Sequence, residues 1–464
     1  VSNLHSSAVD AAVIEIERSL GPLQVSTDID TRALYARDES EASARTPDAV
    51  VYASCARDVV EVLRVANRRR VPVTPRGAGT GRVGGAVPVA GGIVLSLERM
   101  KQIKGIERGD LVAVVEPGVV TGELHQQVEA QGLFYPPDPN SLATCQIGGN
   151  IAENAGGPRA FRYGVTRDYV LGLEVVTAEG SLLRLGKRTF KGVSGYDLTS
   201  LVVGSEGTLA VVTEATLKLI PKPEAVATLL AFLPHVRATQ KAVSAIFAGG
   251  LMPRCIELLD QEALAIARQN AATPIDDGAA HAMLLIELDG DAYALPRQVE
   301  RCGNAMLQAG ALRVVTASDP EERERLWETR REMSRALRKT ARFKLSEDVV
   351  VPLSRIADLI DTCQFIAQEY GIRVVSHGHA GDGNLHVNLL WDRDEQRGAA
   401  EQAVLRLFEA VIAMRGTLTG EHGIGVLKAP YLGLEQSEDL IALQRRIKSL
   451  FDPYAILNPG KIFV

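Results

Sequence analysis

The stretch "TPRGAGTGRVGGAVP", Thr74 to Pro88, limits the fold of this chain more than any other segment. Gly79, Gly81 and Gly84 spell a literal G-x-G-x-x-G, and Glu98 lies about twenty residues beyond Gly79, the spacing of a dinucleotide-binding fingerprint. That fingerprint requires its last glycine to open a helix whose N-terminus meets a pyrophosphate. Here "GAVPVAGGIVLSL" follows instead, and Pro88, Gly91 and Gly92 forbid a helix before Glu98. The stretch is therefore a loop between strands. Closely spaced glycines let successive backbone N–H groups turn inward and line an anion cavity, with Arg76 at its entrance. A mobile turn is the plain alternative. A second glycine-rich stretch, "IGGNIAENAGG" from Ile147 to Gly157, favours the cavity, because two such segments suit an elongated cofactor contacted at several points.

At 464 residues, two or three domains are expected. "AVVYA" reads as a buried strand. "RDVVEVLRVANRRR" puts Val59, Leu63 and Ala66 on one helical face, and "VPVTP" completes a βαβ unit. "GGIVLSL" and "LVAVVEPG" read as strands, "TGELHQQVEAQG" as a helix, and "LGLEVVTAEGSLLRLG" as a hairpin turning at "AEG". Beyond Glu224, the strand-like runs "ATLLAFL" and "AMLLIELDG" alternate with helices such as "RQVERCGNAMLQAG", which predicts an open sheet with helices on one side. The division is an α+β domain over 1–223, a second α+β domain over 224–412, and a segment over 413–464 that returns to the first. A net charge of −6 and the lack of any run of five basic residues give no reason to expect nucleic acid. Five dispersed cysteines without C-x-x-C argue against iron–sulfur ligation and for a reduced, intracellular setting. No signal peptide and no transmembrane stretch is expected.

Four of the eight histidines fall between His377 and His422. In "SHGHAGDGNLHVNLL", Gly381 to Asn384 make a tight turn, and in the following strand His386 and Asn388 share a face. His379 precedes the turn and can fold back toward His386. "GTLTGEHGIG" later presents Glu421 beside His422. Two histidines and a carboxylate form a credible divalent-cation site with an open position. Hydrogen-bonded histidines that buttress loops are the alternative.

Both glycine stretches and "VSGYDLTSLVVGSEGTLAVVTEATLKL" resemble the FAD-binding domain of the vanillyl-alcohol oxidase/p-cresol methylhydroxylase (PCMH) superfamily. The resemblance covers nearly the whole chain and is strongest to the FAD-linked D-2-hydroxy acid dehydrogenases, the D-lactate, glycolate and D-2-hydroxyglutarate group. It implies a PCMH-type FAD-binding domain of two α+β subdomains, plus an α+β cap domain with an antiparallel sheet. It further implies that Arg76, Gly77, Ala78, Gly79, Thr80 and Gly81 hold the FAD pyrophosphate. Pro137, Asp138, Ser141, Gly148, Gly149, Asn150, Ala155, Gly156 and Gly157 would surround the flavin ring and ribityl chain, with Glu206 and Gly207 toward the adenine. "ILNPGKIF" resembles the family's closing segment, which brings Asn458 and Lys461 toward the flavin; an ordinary Asn-Pro-Gly turn is the alternative. Arg82 departs from the leucine-like residue expected there. No histidine or cysteine lies between Thr74 and Pro88, so the FAD is expected to be non-covalent.

The same resemblance assigns His379, His386 and Glu421 to a divalent metal, zinc first, with manganese or iron as alternatives. Asn388 would touch substrate, His422 would be the base, and Arg330 would pair with a substrate carboxylate. His377 is left to support the others. Metal coordination of a hydroxy acid lowers the hydroxyl pKa, and a neutral histidine takes its proton while Cα gives hydride to flavin N5. Relatives acting on a dicarboxylate carry a lysine shortly before D-x-x-x-P. Here Ser346 precedes "DVVVP" in that place and Lys344 lies two residues earlier, which leaves lactate, glycolate or another short hydroxy acid open. The expected activity is FAD-dependent oxidation of a small D-2-hydroxy acid, with electrons passing to a quinone, a cytochrome, an electron-transfer flavoprotein or a companion subunit. An oxygen-using oxidase and a non-catalytic flavoprotein subunit of a membrane-associated complex are the rival readings. A homodimer, cytoplasmic or peripheral to the inner membrane, completes the expectation.

Overall fold

Residues 77–92 contain neither helix nor strand in the computed structural model, which describes residues 2–270, 280–317, 319–331 and 333–463. The glycine stretch links β3 (Val73–Arg76) directly to β4 (Ile93–Ser96), and the two strands run parallel with Val73 opposite Ile93. The chain divides into two units. One comprises Val1–Gly157, Gly164–Lys222 and Glu421–Val464; the other comprises Pro158–Tyr163 and Pro223–Gly420.

In the first unit, a four-stranded sheet has the order β1 (Val25–Ser26), β2 (Ala49–Tyr52), β4, β3. Both β2 and β3 run parallel to β4, which slots between them. The helix Ala56–Arg69 buries Val59, Leu63 and Ala66 as its periodicity predicts, with Val62 and Val65 alongside. Its core also takes Val9, Ala12 and Ile16 from the first helix and Ile456 and Leu457 from near the C-terminus. That tail is fixed through its backbone: Val73 N–H donates to the Ile456 carbonyl at 2.8 Å, and Asn458 N–H to the Val73 carbonyl at 2.7 Å. The second sheet is antiparallel, in the order β5 (Ile103–Glu107), β6 (Val112–Val115), β10 (Ala210–Lys218), β8 (Val170–Thr177), β9 (Leu182–Gly186). The predicted hairpin is β8–β9, and Gly180 takes the left-handed turn position at φ 78°.

The second glycine-rich stretch differs from the first. Ile147–Glu153 is a short helix, ended by Asn154 in the left-handed conformation. Glycine costs about 1 kcal/mol in a helix relative to alanine, but here packing decides. Ile147 and Ile151 bury one face, and a Cβ on Gly148 would fall 2.6 Å from the Pro117 side chain.

The second unit is built on seven antiparallel strands in the order β15 (Arg313–Ala317), β12 (Ala225–Leu233), β14 (Ala282–Gly290), β13 (Cys255–Leu259), β17 (Arg373–His379), β18 (Asn384–Trp391), β16 (Phe343–Val350). Helices cover both faces, not one. Leu229 faces Gly303 of the helix Leu295–Gln308, whereas its neighbour Leu230 packs with Leu264 and Leu337 from the helices Gln261–Asn270 and Met333–Thr340. Adjacent residues of a strand point to opposite faces. The run "ATLLAFL", apolar at every position but Thr228, carried this signal, because a strand buried on both sides need not alternate.

The turn between β17 and β18 closes when the His379 carbonyl accepts from Asp382 and Gly383 N–H at 3.3 and 3.0 Å. Gly383 sits at φ 87°, and a Cβ there would lie 2.0 Å from the Val351 carbonyl oxygen. Gly383→Ala should therefore cost at least ~1–3 kcal/mol from backbone strain alone. A lowered thermal midpoint checks this; an unchanged midpoint contradicts the turn geometry.

Candidate active site

Antiparallel register gathers the polar residues of the second unit into cross-strand rows. Glu257 on β13 stands opposite His379 on β17. His377 stands opposite His386 on β18, which in turn stands opposite Asp348 on β16. Alternation puts Glu257, His377, His379, His386, Asn388, Ser346 and Asp348 on one face of the sheet. The His379 and His386 rings meet edge-on with centroids 5.4 Å apart, and a ring nitrogen of each lies within 4.8 Å of the other's.

Arg330 reaches this face from the helix Pro320–Arg331. Its Nε donates to Glu257 Oε2 at 2.6 Å, while Glu257 Oε1 bonds His379 Nδ1. All three residues are at most 4% exposed. Burial pushes the Glu257 carboxyl up, but its contacts with His379 and Arg330 outweigh it and hold the group at about 2. Burial, reinforced by Arg330 and the neighbouring imidazoles, holds His377 far below its ordinary value, so it is neutral. Arg330 Nη2 is buried without a hydrogen-bond partner among the described residues. It is thus a guanidinium nitrogen available to an anionic ligand.

Asn388 is held by its neighbours. It donates to the carbonyls of Val375 and His386 and accepts from Ser346 Oγ at 2.9 Å. Asp348 is fully buried and accepts from Asn384 Nδ2 at 2.6 Å, Thr419 Oγ1 at 2.8 Å and Gly420 N–H at 3.0 Å. Gly420 ends this unit, so Asp348 anchors the chain one peptide link before Glu421 and two before His422.

The first unit holds the glycine loop. The N–H groups of Ala78, Gly79, Thr80, Gly81 and Arg82 donate to no described residue, as an anion-binding loop requires. Arg76 lies under the loop and donates to the carbonyls of Arg37 and Ala86, and only a glycine at 79 leaves it room. Arg82 pairs with Glu39 at 3.3 Å. Gly77 faces the buried Gln146 Oε1, which has no hydrogen-bond partner among the described residues, and Gly149 faces open space. Asn150 donates to Thr121 Oγ1 at 2.6 Å, and the Pro137 carbonyl contacts His125 Nε2 at 3.0 Å. The Ser141 carbonyl accepts from Thr144 and Cys145 N–H in the turn that precedes the short helix. Ala155 accepts from Thr166, and a Cβ on Gly157 would strike the Asp138 carbonyl at 2.4 Å. Gly156 packs against Glu421, whose Oε2 lies 3.0 Å from the position of a Gly156 Cβ.

The carboxylate of Glu206 accepts from Ile424 and Gly425 N–H, both at 2.7 Å, and thereby fastens the loop that carries Glu421 and His422. A Cβ on Gly207, next to it, would lie 3.4 Å from the Pro75 ring. Asn458 donates to the carbonyls of Gly85 and Glu206, and its buried Oδ1 has no hydrogen-bond partner among the described residues. Lys461 is buried and bonds the Val87 carbonyl at 2.7 Å; burial lowers its ammonium to about 8.

Residues 47–186 match the FAD binding domain family, and residues 222–462 match the C-terminal domain of FAD linked oxidases. The chain belongs to the FAD-linked oxidase family. The glycolate oxidase subunit GlcD of Bacillus subtilis is 43% identical over 435 residues, covering 93% of this chain and 92% of that protein. The D-lactate dehydrogenase of Anaerostipes hadrus is 35% identical over 474 residues, covering 100% and 99%. p-Cresol methylhydroxylase with substrate bound superposes with a TM-score of 0.81 over 99% of this chain and 97% of that one; at 18% identity the likeness is one of fold. This FAD-linked oxidoreductase thus has the PCMH-type α+β architecture that the glycine stretches implied. Unpaired loop amides, the open face at Gly149 and the orphan acceptors of Gln146 and Asn458 fit a dinucleotide cofactor rich in acceptors and donors.

Two further residues of this oxidoreductase escaped the sequence reading. Glu257 is the only charge in the buried strand "CIELL", and a carboxylate so placed needs a cationic partner. That signal was visible, but Arg330 is 73 residues away in sequence, so the pairing itself was not. Asp348 appeared only as the acid of "DVVVP"; its anchoring of Gly420 depends on a turn far along the chain.

Proposed function

We propose that this chain oxidises a small D-2-hydroxy acid to the 2-oxo acid, using non-covalent FAD and a divalent cation held by His379, His386 and Glu421. The observation that carries the reading is the buried Arg330–Glu257–His379 chain beside His386 and Asn388. It sets a guanidinium for a carboxylate next to two imidazoles for a cation. Two imidazoles and one carboxylate suit zinc best, with manganese and iron also compatible. When bound, FAD supplies the hydride acceptor and the cation supplies Lewis acidity. Arg330 pairs with the substrate carboxylate, Asn388 orients the acid, and His422 takes the hydroxyl proton. Arg76 through Gly81, Pro137, Asp138, Ser141, Gly148 through Asn150, Ala155 through Gly157, Glu206, Gly207 and Asn458 hold or shape the cofactor site. Lactate and glycolate are the favoured substrates, because the neutral Ser346 stands where relatives acting on a dicarboxylate carry a lysine; D-2-hydroxyglutarate is the alternative. Electrons then pass to a quinone, a cytochrome, an electron-transfer flavoprotein or a companion subunit.

Anaerobic bleaching of the protein-bound flavin against paired D and L acids tests this. D-lactate or glycolate should bleach it while L-lactate leaves it oxidised. Equal bleaching by both lactate enantiomers would overturn the stereochemical part, and no bleaching by any hydroxy acid would overturn the activity.

A further inference from the structure

We infer that Glu257 is a positioning residue for both halves of the substrate site: one carboxylate fixes the ring state of a metal-binding imidazole and the attitude of the substrate-binding guanidinium. The inference rests on the proposed roles of His379 and Arg330, but the contacts that carry it are independent of those roles. Glu257 uses one oxygen for each partner, Oε1 for His379 Nδ1 and Oε2 for Arg330 Nε at 2.6 Å. Neither partner can turn without breaking a charge-assisted bond in a place where water cannot replace it, since none of the three is more than 4% exposed.

For His379 the consequence is chemical. A neutral imidazole that gives its Nδ1–H to a carboxylate presents Nε2 as its lone-pair nitrogen, and the hydrogen bond raises that nitrogen's basicity. For Arg330 the consequence is geometric. With Nε engaged by Glu257, the guanidinium plane is fixed and Nη2, buried without a partner among the described residues, is left toward a ligand. Backbone register supports the arrangement, because Glu257 and His379 are direct cross-strand partners on β13 and β17 and do not depend on a mobile loop to meet. A merely structural ion pair would need only Arg330 and Glu257. The second bond to His379 is what ties the pair to cation binding.

Glu257→Gln keeps the shape and removes the charge. In the FAD-loaded protein, zinc affinity measured by competition with a chromogenic chelator should weaken about 10–100-fold. The visible spectrum of the cobalt-substituted protein should change as the imidazole loses its fixed orientation, and KM for D-lactate should rise more than kcat falls. The flavin spectrum and FAD content should stay as in the parent. Because Glu257→Gln leaves Arg330 buried without its counter-charge, the double variant Glu257→Gln/Arg330→Gln is measured beside it. Its charges balance, and its zinc affinity should be lowered to the same degree. Unchanged zinc affinity together with an unchanged cobalt spectrum in either folded variant would overturn the inference while leaving the proposed function intact. A parent protein that binds neither zinc nor cobalt would overturn both.

Discussion

Replacing His422 with asparagine should lower kcat by about 10²–10⁴-fold, the usual contribution of a positioned general base. The loss should fall on turnover and not on binding. FAD content and the dissociation constant for the 2-oxo acid should stay near the parent values, because the proposed reading gives the carboxylate to Arg330 and the cofactor to the first unit. The environment of His422 supports this role. The loop that follows it is fastened through Ile424 and Gly425 to the Glu206 carboxylate, within the same unit. A side chain on a loop so held would lose little orientational freedom when substrate binds. Steady-state kinetics with an equilibrium titration of the 2-oxo acid separates the two effects. A variant whose KM rises while kcat is retained would assign His422 to binding instead.

Arg330→Met should have the second large effect, and in two quantities at once. Charge-assisted hydrogen bonds contribute about 1.5–3 kcal/mol each, so loss of the Nη2 contact to a carboxylate should lower kcat/KM by about 10–10²-fold. Glu257 would also be left buried without its cation, a change that typically costs about 3–5 kcal/mol of stability. Arg330→Lys distinguishes the two. Lysine can neutralise Glu257 but cannot present a planar fork, so most of the stability should return while kcat/KM stays low. Full recovery of kcat/KM with lysine would mean that Arg330 acts only as a counter-charge.

The fold was legible where local chemistry decides it. Pro88, Gly91 and Gly92 ruled out a helix after the glycine loop, and none is there. Val59, Leu63 and Ala66 marked a helical face that is buried as expected. The tight turn before Asn384 and the strand carrying His386 and Asn388 also followed from residue types and spacing. What could not be read depends on distant partners. Ile147–Glu153 is helical because Pro117 and the core receive it, against the preference of its two glycines. Glu257 and Arg330 carry no mutual signal across the intervening sequence. The placement of β4 between β2 and β3 is likewise a matter of tertiary pairing, since strands in one parallel sheet need not be neighbours in sequence.

In the proposed reaction, a cation on His379, His386 and Glu421 and the flavin act on one hydroxy acid. Stripping the protein with a chelator, confirming that its flavin absorption is retained, and then mixing it anaerobically with D-lactate tests the claim most directly. The stripped protein should stay yellow, and adding back zinc or manganese should restore rapid bleaching. Bleaching at the parent rate in verified metal-free protein would contradict it.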